Sequence, residues 1–470
     1  MQSVASRAAP EVLGSHRQVP LLDGRMVRQA FLDNAASTKS FRAVSDWLRR
    51  VEPYYSNIHR GTGYDSLYCT RLYEQARDIL IRFVGGDPGR HVVIPVRNTT
   101  EGLNLLANTL ALRPEERVLT TILEHHSNDL PWRGKARVEY IPIDAEGRFQ
   151  IEELERSLSR EPGNVRVVTI TGASNVTGQI LPVHEIAARA HAHGAWVVVD
   201  GAQLLPHRAF SMGKPGAAES VDFVVFSAHK MNSPYGEGAV IGLREPFADA
   251  VPYLQGGGTV YSVSLDSVIW ADPPDRQEAG TPNILGMLAM ARAVQVLESY
   301  GMDRVAAHED RLTRRLLAGL CDLSGIRILG SCDPERTEDR LGVVSYTVDG
   351  LHHALVAAIL AYEHGVSVRH GCFCAHPLIK KLLRVPHEEE ERLEHSIRAG
   401  DRREIPGAVR VSIGLHNDDE DIDRFLDGMR AICGRRWSGR YEQDPETGEF
   451  HPDGAGFAFS SLPCFEDPID

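Results

Sequence analysis

Short runs of apolar residues alternate along the chain with longer segments in which apolar residues recur every three or four positions. Many residues in the runs are β-branched or aromatic, and each run ends abruptly in polar or small residues. This pattern is typical of buried parallel strands joined by amphipathic helices. It predicts a doubly wound, mainly parallel α/β sheet with strands at residues 92–96, 118–122, 138–143, 165–171, 196–199, 223–226 and 239–243.

Helical periodicity is predicted between and after these strands, at residues 40–52, 66–84, 103–110, 182–193, 285–300, 303–324 and 351–364. After the 285–300 helix the strands become sparse, with candidates only near 326–329, 341–348 and 366–369. We therefore expect a lead-in (1–30), a large domain (31–285), a smaller α+β domain (286–433) and an acidic Gly/Pro-rich tail (434–470). The charge-dense residues 387–404 are expected to be a solvated helix or insertion. Neither this segment nor the tail has an assigned role.

Two of the predicted strands end in residues that can perform chemistry. Residues 196–199 run into Asp200 and Gln203, and residues 223–226 run into Ser227, His229 and Lys230. In open α/β sheets the ligand crevice lies at the carboxyl ends of the strands. A lysine for a Schiff base and an aspartate for a pyridine nitrogen indicate a pyridoxal phosphate site.

This pair of residues has two other interpretations. An aspartate at a strand end binds magnesium in nucleotide hydrolases, but the phosphate-binding motif GxxxxGK[ST] is absent from this sequence. A lysine after a strand can also be a solvated turn residue. The pair at neighbouring strand ends favours the cofactor.

Two polar segments elsewhere have both a structural and a functional interpretation. Thr100 is predicted to cap the helix that follows it, and the same helix start would suit a phosphate group. The loop at residues 57–63 contains two glycines and either simply turns or lines a site.

Composition narrows the class of protein. The chain has 470 residues, and 51 basic against 64 acidic residues give a net charge of −13. This balance argues against sequence-independent binding to nucleic acid or an anionic membrane. No apolar run approaches the ~20 residues of a membrane helix, and the N-terminus lacks a secretory signal pattern. We expect a cytoplasmic protein whose seven sparse cysteines are reduced.

Ten short motifs occur in chain order: DNAAS, NIHRG, NTTEGLN, LEHHSN, ASNVTGQ, VVVDGAQ, FSAHK, GGG, EAGTPN and RHGCFCAHP. Together they resemble class V pyridoxal phosphate enzymes, and most of all the cysteine desulfurase and selenocysteine lyase branch. The resemblance extends from about residue 31 to residue 430. It implies fold type I, with a mainly parallel seven-stranded sheet in the large domain and a smaller α+β C-terminal domain. It also implies a homodimer.

The resemblance assigns residues to the cofactor ring. Lys230 would form the Schiff base, and Asp200 would keep the pyridine nitrogen protonated. Gln203 would bond the phenolic oxygen, His125 would stack on the ring, and Asn175 would lie near the ring oxygen. Lys230, Cys374 and His125 are the predicted catalytic residues.

The remaining assignments concern the phosphate and the substrate. The phosphate would be held by hydroxyl and imidazole groups, including one threonine from the partner subunit: Thr100, Ser227, His229 and Thr281. The substrate carboxylate would be clamped by Arg410 in a bidentate fork, with Asn175 and His59 as further substrate-binding residues.

The motif RHGCFCAHP is the segment that decides the reaction. In the desulfurase branch a cysteine stands before alanine in the pattern Arg-x-Gly-x-x-Cys-Ala, and Cys374 matches it. Cys374 would take sulfur from the substrate, leaving alanine and a persulfide. Arg369, His370 and His376 would lower its pKa. The family's usual His-His before the cysteine is replaced here by Cys372 and Phe373.

Other interpretations of this segment remain open. Its two thiols and two histidines could bind zinc, although C-x-C spacing is unusual and no second Cys/His pair accompanies it, so no metal is predicted. The thiols could be buried small apolar groups, Cys372 above all. The chain could be a class V enzyme with other chemistry, such as a C–S lyase, an epimerase or a transaminase. A non-enzymatic thiol or metal carrier is the remaining alternative.

The prediction from sequence is a homodimeric pyridoxal phosphate enzyme of the cytoplasm. It removes sulfur or selenium from a cysteine-like amino acid and passes the sulfur to a possible acceptor protein. Neither nucleic acid nor membrane is an expected partner.

Overall fold

A computed structural model describes residues 9–454, 456–459 and 462–465 of the chain. The strands are β1 (Gln18–Pro20), β2 (Met26–Arg28), β3 (Ala30–Phe31), β4 (His91–Val96), β5 (Arg117–Thr121), β6 (Arg137–Ile141), β7 (Val165–Thr171), β8 (Trp196–Asp200), β9 (Phe223–Ser227), β10 (Gly238–Leu243), β11 (Val260–Val263), β12 (Val268–Trp270), β13 (Ile326–Leu329), β14 (Val343–Val348), β15 (Val366–Ser367), β16 (Arg369–Gly371), β17 (Ala408–Ser412), β18 (Tyr441–Gln443) and β19 (Phe450–Pro452). The α-helices are α1 (Arg42–Val51), α2 (Tyr64–Phe83), α3 (Thr99–Thr109), α4 (Leu130–Arg133), α5 (Ile151–Arg160), α6 (Val183–Ala192), α7 (Arg244–Asp249), α8 (Ile284–Tyr300), α9 (Met302–Cys321), α10 (His353–His364), α11 (His376–Leu383), α12 (His387–Arg398) and α13 (Asp419–Cys433).

The large sheet has seven strands in the order β4-β10-β9-β8-β7-β5-β6. Strand β10 runs antiparallel to its neighbours β4 and β9, and the remaining pairs are parallel. Side chains of successive residues enter two different cores: Val197 and Val199 pack on one face, and Val198 packs on the other. Both faces are covered by helices, which is why the strands are continuous apolar runs. The predicted α/β fold with a mainly parallel seven-stranded sheet is confirmed.

A second, antiparallel sheet lies in the C-terminal part of the chain, in the order β13-β14-β17-β16. It packs with α9, α10 and α13 around a separate apolar core that includes Tyr346, Ile359 and Phe425. Strand β17 carries Arg410 into the space between this sheet and the large one. The domain boundaries given above remain predictions.

Several local expectations were wrong. Residues 366–369 were expected to form one strand, but β15 pairs with β3 and β16 pairs with β17, because the chain passes from one sheet to the other between them. Helix α3 is capped by the Asn98 side chain, which accepts a hydrogen bond from the Glu101 N–H, and Thr100 lies inside the first turn. Helices α4, α5, α7, α11 and α13 were not predicted.

The segments at the two ends of the chain contain more structure than their composition indicated. Strands β1 and β2 form a hairpin in the expected lead-in, and β18 and β19 form another in the expected tail. Phe457 of the tail stacks on Tyr362 of α10 with ring centroids 4.3 Å apart. In the described part of the chain, no helix is both long and apolar enough to cross a bilayer.

Candidate active site

The carboxyl ends of the large-sheet strands open into a cavity of about 470 Å³. Strand β17 and the cysteine segment, residues 369–377, form its other wall. Ten of the residues predicted from sequence line this cavity: Thr100, His125, Asn175, Asp200, Gln203, Ser227, His229, Lys230, Cys374 and Arg410. The predicted cofactor residues at the strand ends therefore share one cavity with Cys374 and Arg410.

Asp200 and Lys230 define the floor of the cavity. Asp200 ends β8, is 4% exposed, and accepts a hydrogen bond of 2.9 Å from the Ala202 N–H. Burial raises its pKa, and the lysine charge opposes this rise. Lys230 lies in a 3-10 turn directly after β9. Burial lowers its pKa to about 8, assisted by Arg410 and opposed by Asp200.

His125 faces the same space as a neutral ring. Its Nδ1 accepts the Ser127 N–H at 3.1 Å and lies 2.9 Å from the Ser127 hydroxyl, so its own hydrogen is on Nε2. Burial, with Lys230 acting in the same direction, lowers its pKa to about 3. Ser127 also contacts the Thr100 hydroxyl at 2.6 Å. An uncharged imidazole of this kind suits stacking on an aromatic ring.

The start of α3 supplies hydroxyl and N–H groups to the other end of the cavity. The Thr99 N–H donates to the Ser227 hydroxyl at 2.8 Å, and the two hydroxyls lie 2.7 Å apart. The helix approaches the sheet closely because Gly102 has no side chain: an added Cβ would lie 2.5 Å from Val225 and 2.8 Å from Val240. Hydroxyls at a helix N-terminus favour a phosphate there.

Arg410 is held on the opposite wall, 3% exposed. Its Nη2 donates to Asp33 at 3.2 Å and its Nη1 donates to the Asn175 carbonyl at 3.1 Å, while its Nε is buried without a partner. The guanidinium carbon lies 4.9 Å from the centre of the Phe373 ring. Burial lowers its pKa to about 10, which leaves it cationic at neutral pH.

Gln203 and His229 contact the cavity wall through the loop at residues 33–38. The Gln203 amide donates to the Ala35 carbonyl at 2.8 Å. The His229 carbonyl accepts from the N–H and hydroxyl of Thr38. Burial and Lys230 lower the pKa of the His229 ring to about 4, so it is neutral.

Cys374 is exposed, and it lies in a loop where both it and Phe373 have a φ of 53°. The Asn175 amide donates to the Phe373 carbonyl at 2.8 Å, and the His126 N–H donates to the Cys374 carbonyl at 2.8 Å. The charges at Lys230 and Arg410 interact with the Cys374 thiol.

The three side chains predicted to lower the pKa of Cys374 have other partners. The Arg369 guanidinium pairs with Asp33 at 3.2 Å. The His376 ring stacks on His126, and the His370 ring contacts Glu449 at 2.7 Å. Their effect on the thiol remains a prediction.

Cys372 differs from Cys374. It is buried, donates to the Pro406 carbonyl at 2.9 Å, and has a pKa that burial raises to about 11. This confirms the interpretation of Cys372 as a buried thiol. Among the described residues, no group of three or more His, Cys, Asp or Glu side chains is arranged to hold a metal ion.

Two predicted site residues, His59 and Thr281, do not lie in this cavity. They line a second cavity of about 270 Å³ with Gly257, Gly258 and Glu278. His59 is engaged there by Glu74, with Nε2 and Oε1 2.9 Å apart. Within one subunit these two residues are therefore separate from Lys230.

Sequence reasoning missed four residues that shape the main cavity or hold its side chains: Asp33, Asn98, Thr99 and Ser127. All four lie inside the motifs DNAAS, NTTEGLN and LEHHSN, so the motifs themselves were the available signal. Which of two adjacent threonines contacts Ser227 depends on the helix start, which the motif does not reveal.

The donor set fits pyridoxal phosphate. A buried carboxylate, a buried amine, a neutral imidazole and a hydroxyl-lined helix start are the groups that its ring nitrogen, aldehyde, ring face and phosphate require. Asn175 and Arg410 line the cavity, and the buried Asn175 Oδ1 and Arg410 Nε have no protein partner.

The fold and the cavity define a fold type I enzyme, and sequence comparison identifies the family. The sequence model of the class-V aminotransferases matches residues 30–425, and the chain belongs to that family.

The relatives found by comparison of sequences and structures are named as cysteine desulfurases. A probable cysteine desulfurase of Halobacterium salinarum is 35% identical over 408 residues, covering 84% of this chain and 89% of its own. The cysteine desulfurase of Haloferax volcanii is 33% identical over 412 residues, covering 85% and 88%. Among solved structures, the apo cysteine desulfurase of Thermococcus onnurineus NA1 is 30% identical with a TM-score of 0.77, covering 91% of this chain and all of its own.

Proposed function

We propose that this chain is a pyridoxal phosphate-dependent cysteine desulfurase that converts L-cysteine to alanine and leaves the sulfur as a persulfide on Cys374. The observation that carries the proposal is the position of Cys374 in the same cavity as Lys230, Asp200 and Arg410. The names of the relatives support it. Selenocysteine is the competing substrate, because the same contacts would bind it.

Arg410 would bind the substrate carboxylate. Its guanidinium is buried and cationic, and the residue lines the cavity. Burial strengthens a charge-assisted hydrogen bond because water does not compete for it. The Asp33 contact holds the guanidinium in position before the substrate arrives.

Lys230 would carry the cofactor and then serve as the base. Bound pyridoxal phosphate would withdraw electrons from the substrate Cα, which makes loss of the Cα proton feasible. A lysine whose pKa burial lowers to about 8 can accept that proton and return it near neutral pH. Asp200 and His125 would hold the ring at its nitrogen and its face.

Cys374 would perform the sulfur transfer as a thiolate. Its sulfur attacks the substrate sulfur, the new S–S bond forms, and the substrate Cβ–S bond breaks with its electron pair remaining on carbon. A proton then completes the methyl group of alanine. The substrate's thiol hydrogen stays on the outer sulfur of the persulfide, so atoms and electrons balance.

We further propose that the enzyme is a cytoplasmic homodimer whose partner completes the site. His59 and Thr281 line a cavity of their own, so in this assembly they would serve the Lys230 cavity of the other subunit. Large apolar side chains are exposed on the nearby β11–β12 hairpin: Tyr261, Val263, Leu265 and Ile269. A partner surface would cover them. A thiol-bearing acceptor protein would collect the sulfur from the exposed Cys374.

Product analysis with L-cysteine tests the proposal. We expect alanine and protein-bound persulfide, and we expect Cys374→Ala to lose alanine formation while keeping the visible cofactor absorbance. Cys332→Ala is the matched control, because that thiol is also exposed but lies outside the cavity. Pyruvate and ammonia in place of alanine would show a C–S lyase instead. Full alanine formation by Cys374→Ala without a reductant would show that Cys374 does not take up the sulfur.

A further inference from the structure

The hairpin β18–β19 lies beyond the part of the chain that the family model matches, yet it contacts the cysteine segment. Its turn is well formed: the Asp444 carboxylate accepts from the N–H groups of Glu446 and Thr447, at 2.8 and 2.9 Å. The turn places the Glu449 carboxylate 2.7 Å from His370 Nε2. His370 lies in β16, four residues before Cys374.

The hydrogen bonds of this contact define where its hydrogens lie. His353 Nε2 is 3.0 Å from the Ile405 carbonyl, which can only accept, so His353 carries its hydrogen there. Burial lowers the pKa of His353 to about 3, so the ring is neutral and its Nδ1 is an acceptor. The His370 ring stacks on His353 with centroids 5.3 Å apart and Nδ1 atoms 3.3 Å apart. The Glu449 carboxylate, which accepts, lies against the other His370 nitrogen.

The same hairpin also hydrogen-bonds to residues 402–403, which lie just before the residue that contacts Cys372. The Arg402 N–H donates to the Pro445 carbonyl at 2.8 Å, and the Gln443 amide donates to the Arg403 carbonyl at 3.0 Å. A few residues further on, the Pro406 carbonyl accepts from the Cys372 thiol at 2.9 Å. Two independent connections therefore link the hairpin to the residues around Cys374.

The backbone of the cysteine loop, residues 372–375, has a conformation that its neighbours must stabilise. Phe373 and Cys374 are consecutive non-glycine residues with φ of 53°, a conformation that costs conformational free energy and persists only where the surroundings hold it. The hairpin adds to the direct hydrogen bonds from Asn175 and His126 that hold this loop.

We propose that Glu449 is a positioning residue for Cys374: through His370 it anchors β16 and keeps the cysteine loop in the conformation in which the thiol faces the cavity of Lys230. This inference rests on the proposed function for its catalytic consequence. Its structural consequence does not depend on any activity.

Three Glu449 variants and a control test the proposal. Glu449→Ala removes both the charge and the acceptor, Glu449→Gln keeps an acceptor oxygen, and Glu449→Asp keeps the charge on a shorter side chain. Glu446→Ala is the control, because its exposed carboxylate lies in the same turn. Hydrogen–deuterium exchange of residues 369–376 and steady-state kinetics with L-cysteine are measured on the holoenzyme.

We expect Glu449→Ala to speed exchange in residues 369–376 and to lower kcat about tenfold, as small misplacements of reacting groups do. KM should stay within about twofold, because Arg410 is held by Asp33 and Asn175, which are not part of the hairpin. Glu449→Gln should fall between Ala and wild type. A purely structural role would not separate kcat from KM in this way.

Exchange and kcat in Glu449→Ala equal to those of Glu446→Ala would overturn the proposal. If Glu449→Ala does not fold, Glu449→Gln decides by the same two measurements. Wild-type enzyme that forms no alanine contradicts the proposed function instead, and exchange alone then decides whether Glu449 holds the loop.

Discussion

The depressed pKa of Lys230 gives a quantitative prediction for capture of the cofactor. Only the neutral amine can attack the aldehyde of pyridoxal phosphate. At pH 7 a lysine with a pKa of 10.5 is ~0.03% neutral, whereas one with a pKa of about 8 is ~9% neutral, a ratio of ~300. The apoenzyme should therefore capture the cofactor efficiently at neutral pH, with a rate that rises with pH and levels off above pH 8.

The assay mixes cofactor-free enzyme with pyridoxal phosphate and follows the visible absorbance at a series of pH values. Free lysine under the same conditions corrects for the ionisations of the cofactor itself. Asp200 raises the pKa of Lys230 and Arg410 lowers it, so Asp200→Asn should move the midpoint down and Arg410→Gln should move it up. A wild-type midpoint near pH 10, or shifts of opposite sign, would refute the reasoning.

Two further predictions concern stability. Gly102→Ala adds a methyl group 2.5 Å from Val225, and the overpacking cost of ~1–3 kcal/mol should exceed the ~1 kcal/mol that alanine contributes to a helix. The free energy of unfolding in denaturant and the affinity for the cofactor should both fall, unlike in the control Gly134→Ala, whose Cβ would meet no atom within 4 Å. Equal stability of the two variants would contradict this packing argument. Burial alone would raise the pKa of Glu309, but His207, Arg208 and the Gly342 N–H together lower it to about 2. The stabilisation that the Glu309 carboxylate contributes is therefore fully present above pH ~4.5 and is lost as the pH falls toward 2. Glu309→Gln should lower the free energy of unfolding by ~3–5 kcal/mol at pH 7 and by much less in acid. An equal loss at both pH values would refute the assignment.

Local pattern was enough to predict the large sheet and the two residues at its centre. Apolar runs with abrupt ends predicted every strand of the large sheet to within a residue or two. Because carboxyl ends of parallel strands meet at one edge, the positions of Asp200 and Lys230 followed from strand periodicity alone. The motifs extended this to the groups around the cofactor, since those groups also follow strand ends and helix starts.

What the sequence by itself determined is therefore the α/β sheet, the family and the set of residues available for the chemistry. The tertiary structure decided which of them meet. It brings Cys374 and Arg410 to Lys230, because β14 and β17 of the small sheet hydrogen-bond to the loop that follows β7 of the large one. It separates His59 and Thr281 from them within one subunit. It also pairs His370 with Glu449. Contacts of this kind depend on how distant segments pack, and no local period in the sequence encodes them.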